Sequence, residues 1–309
     1  MKPVYIINGF LESGKTSFIR FTLGQPYFQI KGTTLLLLCE DGEEEYDAKT
    51  LRAAKAEMRQ IPDEAAFTPE NLLAIEKEVN PERIVIEYNG MWNMKNMKLP
   101  FHWNVEQQIT CVDASTFPEY YTNMRSLVAE MVRKSELIIF NRCDNVRENL
   151  GSYRRNIKAV NAEAAVIFED AEGEINEIFE EDLPYDLQAD TIVLDDKSYG
   201  IWYLDLMDHA ERYAGKTIEY VGMVMHPKGF GADAFVPGRM AMTCCAEDMS
   251  FLGYICKYNG ADKLKERSWV KVRAEVKKEF LPAYKGEGPV LYAKSVEACA
   301  KPANEIVGF

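Results

Sequence analysis

No stretch of this 309-residue chain approaches the roughly 18 uninterrupted apolar residues that a membrane-spanning helix needs, so the chain is not expected to cross a bilayer. Basic excess is missing too. The 36 Lys and Arg face 49 Asp and Glu, a net charge of −13, and a nucleic-acid partner whose backbone must be neutralised is not expected. Histidine is scarce, with three in all, and their spacing is not that of metal ligands; His102 and His209 read as ordinary surface or packing residues. The seven cysteines, an odd number scattered along the chain, fit reduced thiols rather than a disulfide framework. A secretory leader is not expected, because Lys2 is followed at once by a short apolar strand. Internal repeats and low-complexity tracts are absent as well. These absences point to a cytoplasmic globular protein, long enough for two domains with substantial cores.

What the chain does have is concentrated in residues 4–23. An apolar strand candidate, Val4-Tyr5-Ile6-Ile7-Asn8, runs into GFLESGKT (residues 9–16), and an amphipathic stretch follows. Strand, glycine-rich turn and helix start make a Walker A phosphate loop, complete at Gly9, Gly14, Lys15 and Thr16. Glycines let the backbone curl around an anion, while N–H groups at a helix N-terminus supply partial positive charge. Lys15 would reach the β- and γ-phosphates of a nucleoside triphosphate, and Thr16 would place its hydroxyl on Mg²⁺. Glu12, Ser13 and Ser17 complete the loop's candidate contacts.

Strand and helix candidates alternate from residue 1 to about 169. Short apolar runs at 34–38, 83–86, 108–112, 137–140 and 164–168 read as buried parallel strands. Helices are expected at 69–79 behind the cap-like Thr68, at 115–134 and at 146–160. The pattern is that of an α/β, doubly wound, mostly parallel sheet, with ligands at the carboxyl ends of the strands. Residues 169–190 then hold ten Asp and Glu and no Lys or Arg, an acidic and partly helical connector. The expected domains are therefore 1–188 and 189–309. Beyond the connector, one helix candidate at 201–213 precedes strands at 217–225, 234–243, 251–257, 269–276 and 289–299. Five strands between Gly, Pro and Asn turns predict a small β-rich barrel of the oligonucleotide-binding-fold shape.

Four more strand ends in the first domain carry polar groups. CEDGEEEYD (39–47) packs six carboxylates into nine residues; Glu40 and Asp47 are candidates to order an attacking water, with a solvated charge run as the alternative. In IVIEYNG (84–90), Glu87 is the expected Walker B acid, sharing Mg²⁺ with Thr16, and Gly90 can offer its N–H to a γ-phosphate. Asp113 closes the next strand in VDAS (112–115). In NRCD (141–144), Asn141 and Asp144 match a guanine-reading turn, whose carboxylate accepts both N–H donors on the base edge. Adenine lacks that donor pair, so this turn sets nucleotide identity. Lys15, Glu40, Asp47 and Glu87 are the candidate catalytic groups.

In this order the motifs resemble those of the CobW-type GTPases, a family of phosphate-loop proteins linked to metal insertion and metal supply. GFLESGKT is similar to the family's GFLGSGKT, with Glu12 in a glycine slot. CEDGEEEYD resembles NEFGEVGID, matching Glu40, Gly42 and Asp47. IVIEYNG matches the family's Walker B segment at Glu87 and Gly90, and NRCD matches NKxD at Asn141 and Asp144, with Arg142 for Lys. The resemblance covers about residues 1–185 and implies GTP and Mg²⁺ as ligands, with slow hydrolysis to GDP and phosphate. A homodimer is one assembly to expect. The family's metal-binding CxCC motif has no counterpart, since residues 48–83 contain no cysteine.

Residues 216–276 resemble the soluble domain of the YcgQ family, which is ascribed to a membrane permease. FVPGRMAMTCCAED (235–248), Gly253 and Trp269-Val270-Lys271-Val272 carry that likeness. Its chemical centre is Cys244-Cys245. Adjacent strand residues face opposite ways, so both thiolates reach one ion, with Zn²⁺ the natural guest, only at a bulge or strand end. Two buried structural cysteines are the equal alternative. His226, Cys256 and Glu247 are candidate further ligands, and Arg239 could lower a thiol pKa or bind an anion. Met91, Met94 and Met97 read as core rather than as a soft-metal site. The expectation is a GTP-dependent, metallochaperone-like switch serving a metalloprotein client. A nucleotide-gated adaptor of a membrane permease and a small-molecule kinase are the alternatives.

Overall fold

Short strands rich in Leu, Ile and Val form the central layer of the N-terminal half. The computed structural model describes residues 1–40, 42, 46–175, 183–242 and 249–308. Two units separate by their internal contacts, Met1–Phe179 and Glu180–Phe309. In the first, β1 (Lys2–Asn8), α1 (Lys15–Gly24), β2 (Thr34–Leu38), α2 (Ala48–Ala53), β3 (Ala56–Gln60), α3 (Pro69–Val79) and β4 (Arg83–Glu87) come first. Then follow β5 (Trp103–Asp113), α4 (Phe117–Asn123), α5 (Arg125–Val132), β6 (Leu137–Asn141), α6 (Leu150–Val160), β7 (Ala165–Asp170) and β8 (Gly173–Glu174). The sheet runs β3-β2-β4-β1-β5-β6-β7-β8, parallel throughout except for β8 against β7. Successive residues of one strand enter different cores. Leu35 and Leu37 pack with Val4, Ile6 and Ile84, whereas Leu36 packs with Ile7, Ile19 and Val85. The strands are thus covered on both faces, as a doubly wound sheet requires. Chain order reverses on either side of β1, so its carboxyl end opens on the crevice where such folds bind ligands.

Where the elements differ from expectation, the causes are local. The helix expected at 115–134 is two helices, broken at Met124 (φ −131°, ψ 34°), where the Asn123 amide donates to the Glu119 carbonyl and competes with the helix ladder. The one expected at 146–160 opens as a 3₁₀ turn, Arg147–Asn149, and is α-helical only from Leu150. β3, an edge strand of sequence AEMRQ with no fully buried residue, has no apolar run to announce it. Among the described residues of 169–190 there is no helix; β7 and β8 form a hairpin at the start of that stretch.

The second unit contains β9 (Thr191–Val193), α7 (Tyr199–Asp208), α8 (Ala210–Tyr213), β10 (Thr217–Met225), β11 (Ala234–Met242), β12 (Met249–Leu252), β13 (Cys256–Lys257), β14 (Trp269–Leu281), β15 (Gly286–Ala298) and β16 (Ile306–Val307). β10, β11, β13, β15 and β14 pair in that order, and β14 returns to β10, which closes a five-stranded ring. Closure removes the open sheet edges that would otherwise pair with other chains. Alternate residues of β10 and β14 point inward, and Trp202 of α7 fills the interior against Tyr199, Tyr220 and Tyr254. The helix expected at 201–213 breaks at His209 into α7 and α8, and the strand expected at 251–257 divides into β12 and β13. Tyr185 and Leu187 pack on this core, and Lys216 Nζ donates to the Leu187 carbonyl at 2.6 Å. No helix among the described residues is long and apolar enough to cross a membrane.

Arg239 holds the barrel's inside together. It is 2% exposed, it donates to Asp196 Oδ1 at 2.8 Å and to the Asn304 carbonyl, and it lies over the Trp269 ring. The guanidinium is therefore committed to a buried clamp joining the segment before α7, β11, β14 and the C-terminal tail. Arg239→Met is expected to cost about 3 kcal/mol by stranding its partners. Denaturant unfolding of the full chain, followed by near-ultraviolet circular dichroism, measures this; an unchanged midpoint would remove the clamp.

Candidate nucleotide-binding site

At the carboxyl end of β1 the backbone turns through residues 9–14 into α1. Gly14, at φ 90°, begins the helix, and a Cβ there would lie 2.6 Å from Asn141 Nδ2, so a side chain would push the two loops apart. Lys15 follows, 4% exposed. Its ammonium donates to the Gly9 carbonyl at 2.9 Å, to the Phe10 carbonyl at 2.8 Å and to Glu40 Oε2 at 2.6 Å. All of its three donors are thereby used. The recess above it is lined by Leu11, Glu12, Ser13, Gly14, Lys15, Thr16, Glu40, Gly42, Glu87 and Arg142.

One end of the recess suits a hard cation. Thr16 Oγ1 donates to Glu87 Oε1 at 2.7 Å, and the Tyr46 hydroxyl donates to Glu87 Oε2. Glu87 is 3% exposed, and burial raises its carboxyl pKa against the opposing pull of Tyr46, Thr16 and Lys15. A desolvated carboxylate beside a hydroxyl is an oxygen pair that gains from a divalent ion, so the residues fit Mg²⁺. Gly90 lies against the loop itself: a Cβ there would stand 2.2 Å from the Gly9 carbonyl oxygen. Asp47 lines no part of the recess. Its carboxylate caps α2, accepting from Thr50 N at 2.8 Å and Thr50 Oγ1 at 2.6 Å, and those bonds lower its pKa. Tyr46 was not foreshadowed, since its bond to Glu87 crosses 41 positions of sequence. Asp41, Glu43, Glu44 and Glu45 lie outside the described residues.

At the other end the NRCD turn is bonded onto the phosphate loop. Asn141 Nδ2 donates to the Ser13 carbonyl at 2.8 Å, and Arg142 Nη1 donates to the Glu12 carbonyl at 2.7 Å and to Asp113 Oδ2. Asp144 accepts from Ala171 N at 3.2 Å. Gly14, Ser17, Phe18, Phe21, Asn141, Asp144 and Ala171 share a broad cleft beside this turn. Ser13 Oγ and Asn141 Oδ1 are buried and have no hydrogen-bond partner among the described residues. Site residues 128 and 130 positions apart in sequence are thus brought to one strand end by the parallel order β1-β5-β6.

Burial disfavours the thiolate form of the described cysteines. Burial raises Cys111 and Cys256 to a pKa of about 12 and Cys143 to about 11, and raises Cys39 as well. His226 is bound at the surface to Glu266 and the Ala261 carbonyl, while Cys256 sits in the barrel core. No group of three His, Cys, Asp or Glu among the described residues is placed to hold a metal ion. Cys244, Cys245 and Glu247 fall in 243–248, outside the described residues.

Residues 3–168 match the family model "CobW/HypB/UreG, nucleotide-binding domain", and residues 171–307 match "DUF1980 C-terminal domain". Among solved structures, the hydrogenase maturation factor HypB from Archaeoglobus fulgidus aligns at 16% identity and TM-score 0.40, over 55% of this chain and 82% of that one. Zn(II)-bound YjiA GTPase from E. coli aligns at 22% identity and TM-score 0.41, over 57% of this chain and 59% of that one. HypB from Helicobacter pylori in complex with nickel aligns at 16% identity and TM-score 0.38, over 55% and 80%. No curated protein matches.

Burial of Glu87 has a pH signature. Its folded pKa lies above the unfolded one, so the stability brought by its protonated form is present at low pH and lost as pH rises through the folded value. Glu87→Gln is expected to raise the thermal midpoint of the nucleotide-free chain at pH values above the ordinary carboxylate range, and to flatten its decline with rising pH. Thermal scans across a pH series check this, and the same substitution should weaken Mg²⁺-dependent nucleotide binding.

Proposed function

This chain belongs to the CobW/HypB/UreG family through its nucleotide-binding domain, and from that membership we propose that it binds GTP with Mg²⁺ and hydrolyses it slowly to GDP and phosphate. The observation that carries the choice of base is the bonding of Asn141 and Arg142 onto the backbone of the phosphate loop, beside Asp144 and an open cleft. In that cleft the Asp144 carboxylate accepts the two N–H donors of guanine, and the phosphate chain runs along the loop toward Lys15.

Each residue then has a stated task. Lys15 exchanges its bond to Glu40 for the β- and γ-phosphate oxygens. Thr16 and Glu87 hold the Mg²⁺, whose charge neutralises the phosphates, and Tyr46 orients Glu87. Released from Lys15, Glu40 becomes an acceptor beside the terminal phosphate and orders the attacking water. Asp47 helps from the far end of the same segment by anchoring it to α2. Segment 39–47 thereby senses the nucleotide, because its first carboxylate and the phosphates compete for one ammonium. The domain after it, taken as 189–309, is the proposed effector half of a cytoplasmic switch in metal or metallocofactor handling, with Cys244 and Cys245 as its Zn²⁺-binding thiolates.

Titration of the purified full chain with GTP and ATP tests the base assignment. GTP is expected to bind at least about a hundredfold more tightly than ATP, and Asp144→Ala to abolish that preference while leaving ATP affinity in place. Equal affinity for both nucleotides in the unaltered chain overturns the assignment. Metal content of the chain with and without Cys244→Ser and Cys245→Ser, measured by elemental analysis, tests the other half. Loss of zinc in the double variant is expected, and equal content removes the metal role of these thiols.

A further inference from the structure

The phosphate loop carries a charged side chain where its geometry asks for glycine. Glu12 has φ 59°, in the left-handed region that side chains seldom adopt and that persists only where the surroundings enforce it. Here they do: Arg142, itself bonded to Asp113, donates to the Glu12 carbonyl at 2.7 Å. That bond holds the Glu12 backbone against the NRCD turn. A Cβ built on Gly42 would lie 3.1 Å from Glu12 Oε1, so the carboxylate reaches the segment that follows Glu40. Glu12, Glu40 and Glu87 are then three carboxylates lining one recess with Lys15. The Ser13 hydroxyl, buried and without a hydrogen-bond partner among the described residues, lines the same recess and marks it as a place for a polar ligand.

We propose that Glu12 is a specificity-determining residue that biases this site toward the nucleoside diphosphate and against the triphosphate. The proposal rests on the GTP reading above. With the base at Asp144, the phosphate chain lengthens toward Lys15 and Glu40, and its terminal group arrives beside the Glu12 carboxylate. Each added phosphate carries further negative charge into a partly desolvated recess, where repulsion between like charges is strong. A diphosphate stops short of that end and is spared. Glu40 leaves when Lys15 takes the phosphate, whereas Glu12 stands on the loop that binds the ligand, its backbone held by Arg142.

The test compares GDP with a non-hydrolysable GTP analogue on the full chain with Mg²⁺, by calorimetric titration. The unaltered chain is expected to bind GDP about tenfold or more tightly than the analogue. Glu12→Gln keeps the size and backbone of the side chain and removes only its charge; it should raise analogue affinity about tenfold while GDP changes less than about threefold. Glu12→Gly should shift the ratio the same way. A ratio unchanged in Glu12→Gln overturns the proposal, whether or not Glu12→Gly shifts it, because backbone relief alone would then be the cause. Weaker analogue binding in Glu12→Gln also overturns it, by making Glu12 a ligand for the cation. If the unaltered chain binds neither guanine nucleotide, the GTP reading falls and the proposal falls with it.

Discussion

An ammonium removed from water must find three acceptors, and the way Lys15 finds them organises the N-terminal unit. Two come from the loop that carries it, the Gly9 and Phe10 carbonyls, and the third from Glu40 at the end of β2. The first two bonds curl the loop around its own lysine, which preserves the anion-binding shape without an anion. The third ties that shape to another strand. A buried lysine left with one donor unmet would cost more than the ordinary net worth of a hydrogen bond. Glu40 is therefore held until something more negative replaces it. The same economy explains Gly90 and Gly14: strands β1, β4 and β6 bring their ends so close around the loop that only backbone fits at the two contacts.

The second unit solves a different problem. Its strands would expose edges if left open, and closure of the ring through β10 and β11 removes them. Closure in turn creates an interior too wide for aliphatic residues alone. Trp202 with Tyr199, Tyr220 and Tyr254 occupies it, and burial raises the hydroxyl pKa of all three tyrosines. Polar tips among these rings need partners: Tyr220 donates to the Pro237 carbonyl at 3.0 Å and Tyr254 to the Tyr203 carbonyl at 2.6 Å. Arg239 does for the barrel what Lys15 does for the loop, since one buried cation joins segments that are distant in sequence.

How much of this the sequence disclosed follows from the range of each interaction. The buried strands were readable because a parallel strand covered on both faces must be continuously apolar, and Leu35, Leu36 and Leu37 could serve nothing else. β3 was not readable, because an edge strand keeps its polar residues. The phosphate loop was readable because backbone geometry restricts residue type within eight positions. Glu87 and Asp144 were readable only through their place at strand ends. Asp47 shows the limit: an acid after an acidic run has the composition of a water-ordering group, yet a threonine three positions on makes it a helix cap. Tyr46 acquires its role only when the segment after β2 meets the end of β4, and Arg142 only when the end of β6 meets the loop after β1.

Several local rules are broken around the recess. Glu12 and Arg142 both sit at positive φ, and the Arg142 guanidinium donates to the Glu12 carbonyl. Glu87 keeps a carboxyl where burial disfavours its charge, and Ser13 and Asn141 bury polar atoms that have no partner among the described residues. Each costs stability in the empty chain, and such costs persist where a ligand offsets them. A cation relieves Glu87, and a ligand with polar edges relieves Asn141 and Ser13. Glu12 is the exception, because an anionic ligand makes its position worse. The recess is therefore complementary to its ligand at the cation end and along the loop, and opposed to it at one point on the crest. That asymmetry separates a switch that holds its product from a site that only binds triphosphate, and it resides in a residue that the loop's own geometry would have made glycine.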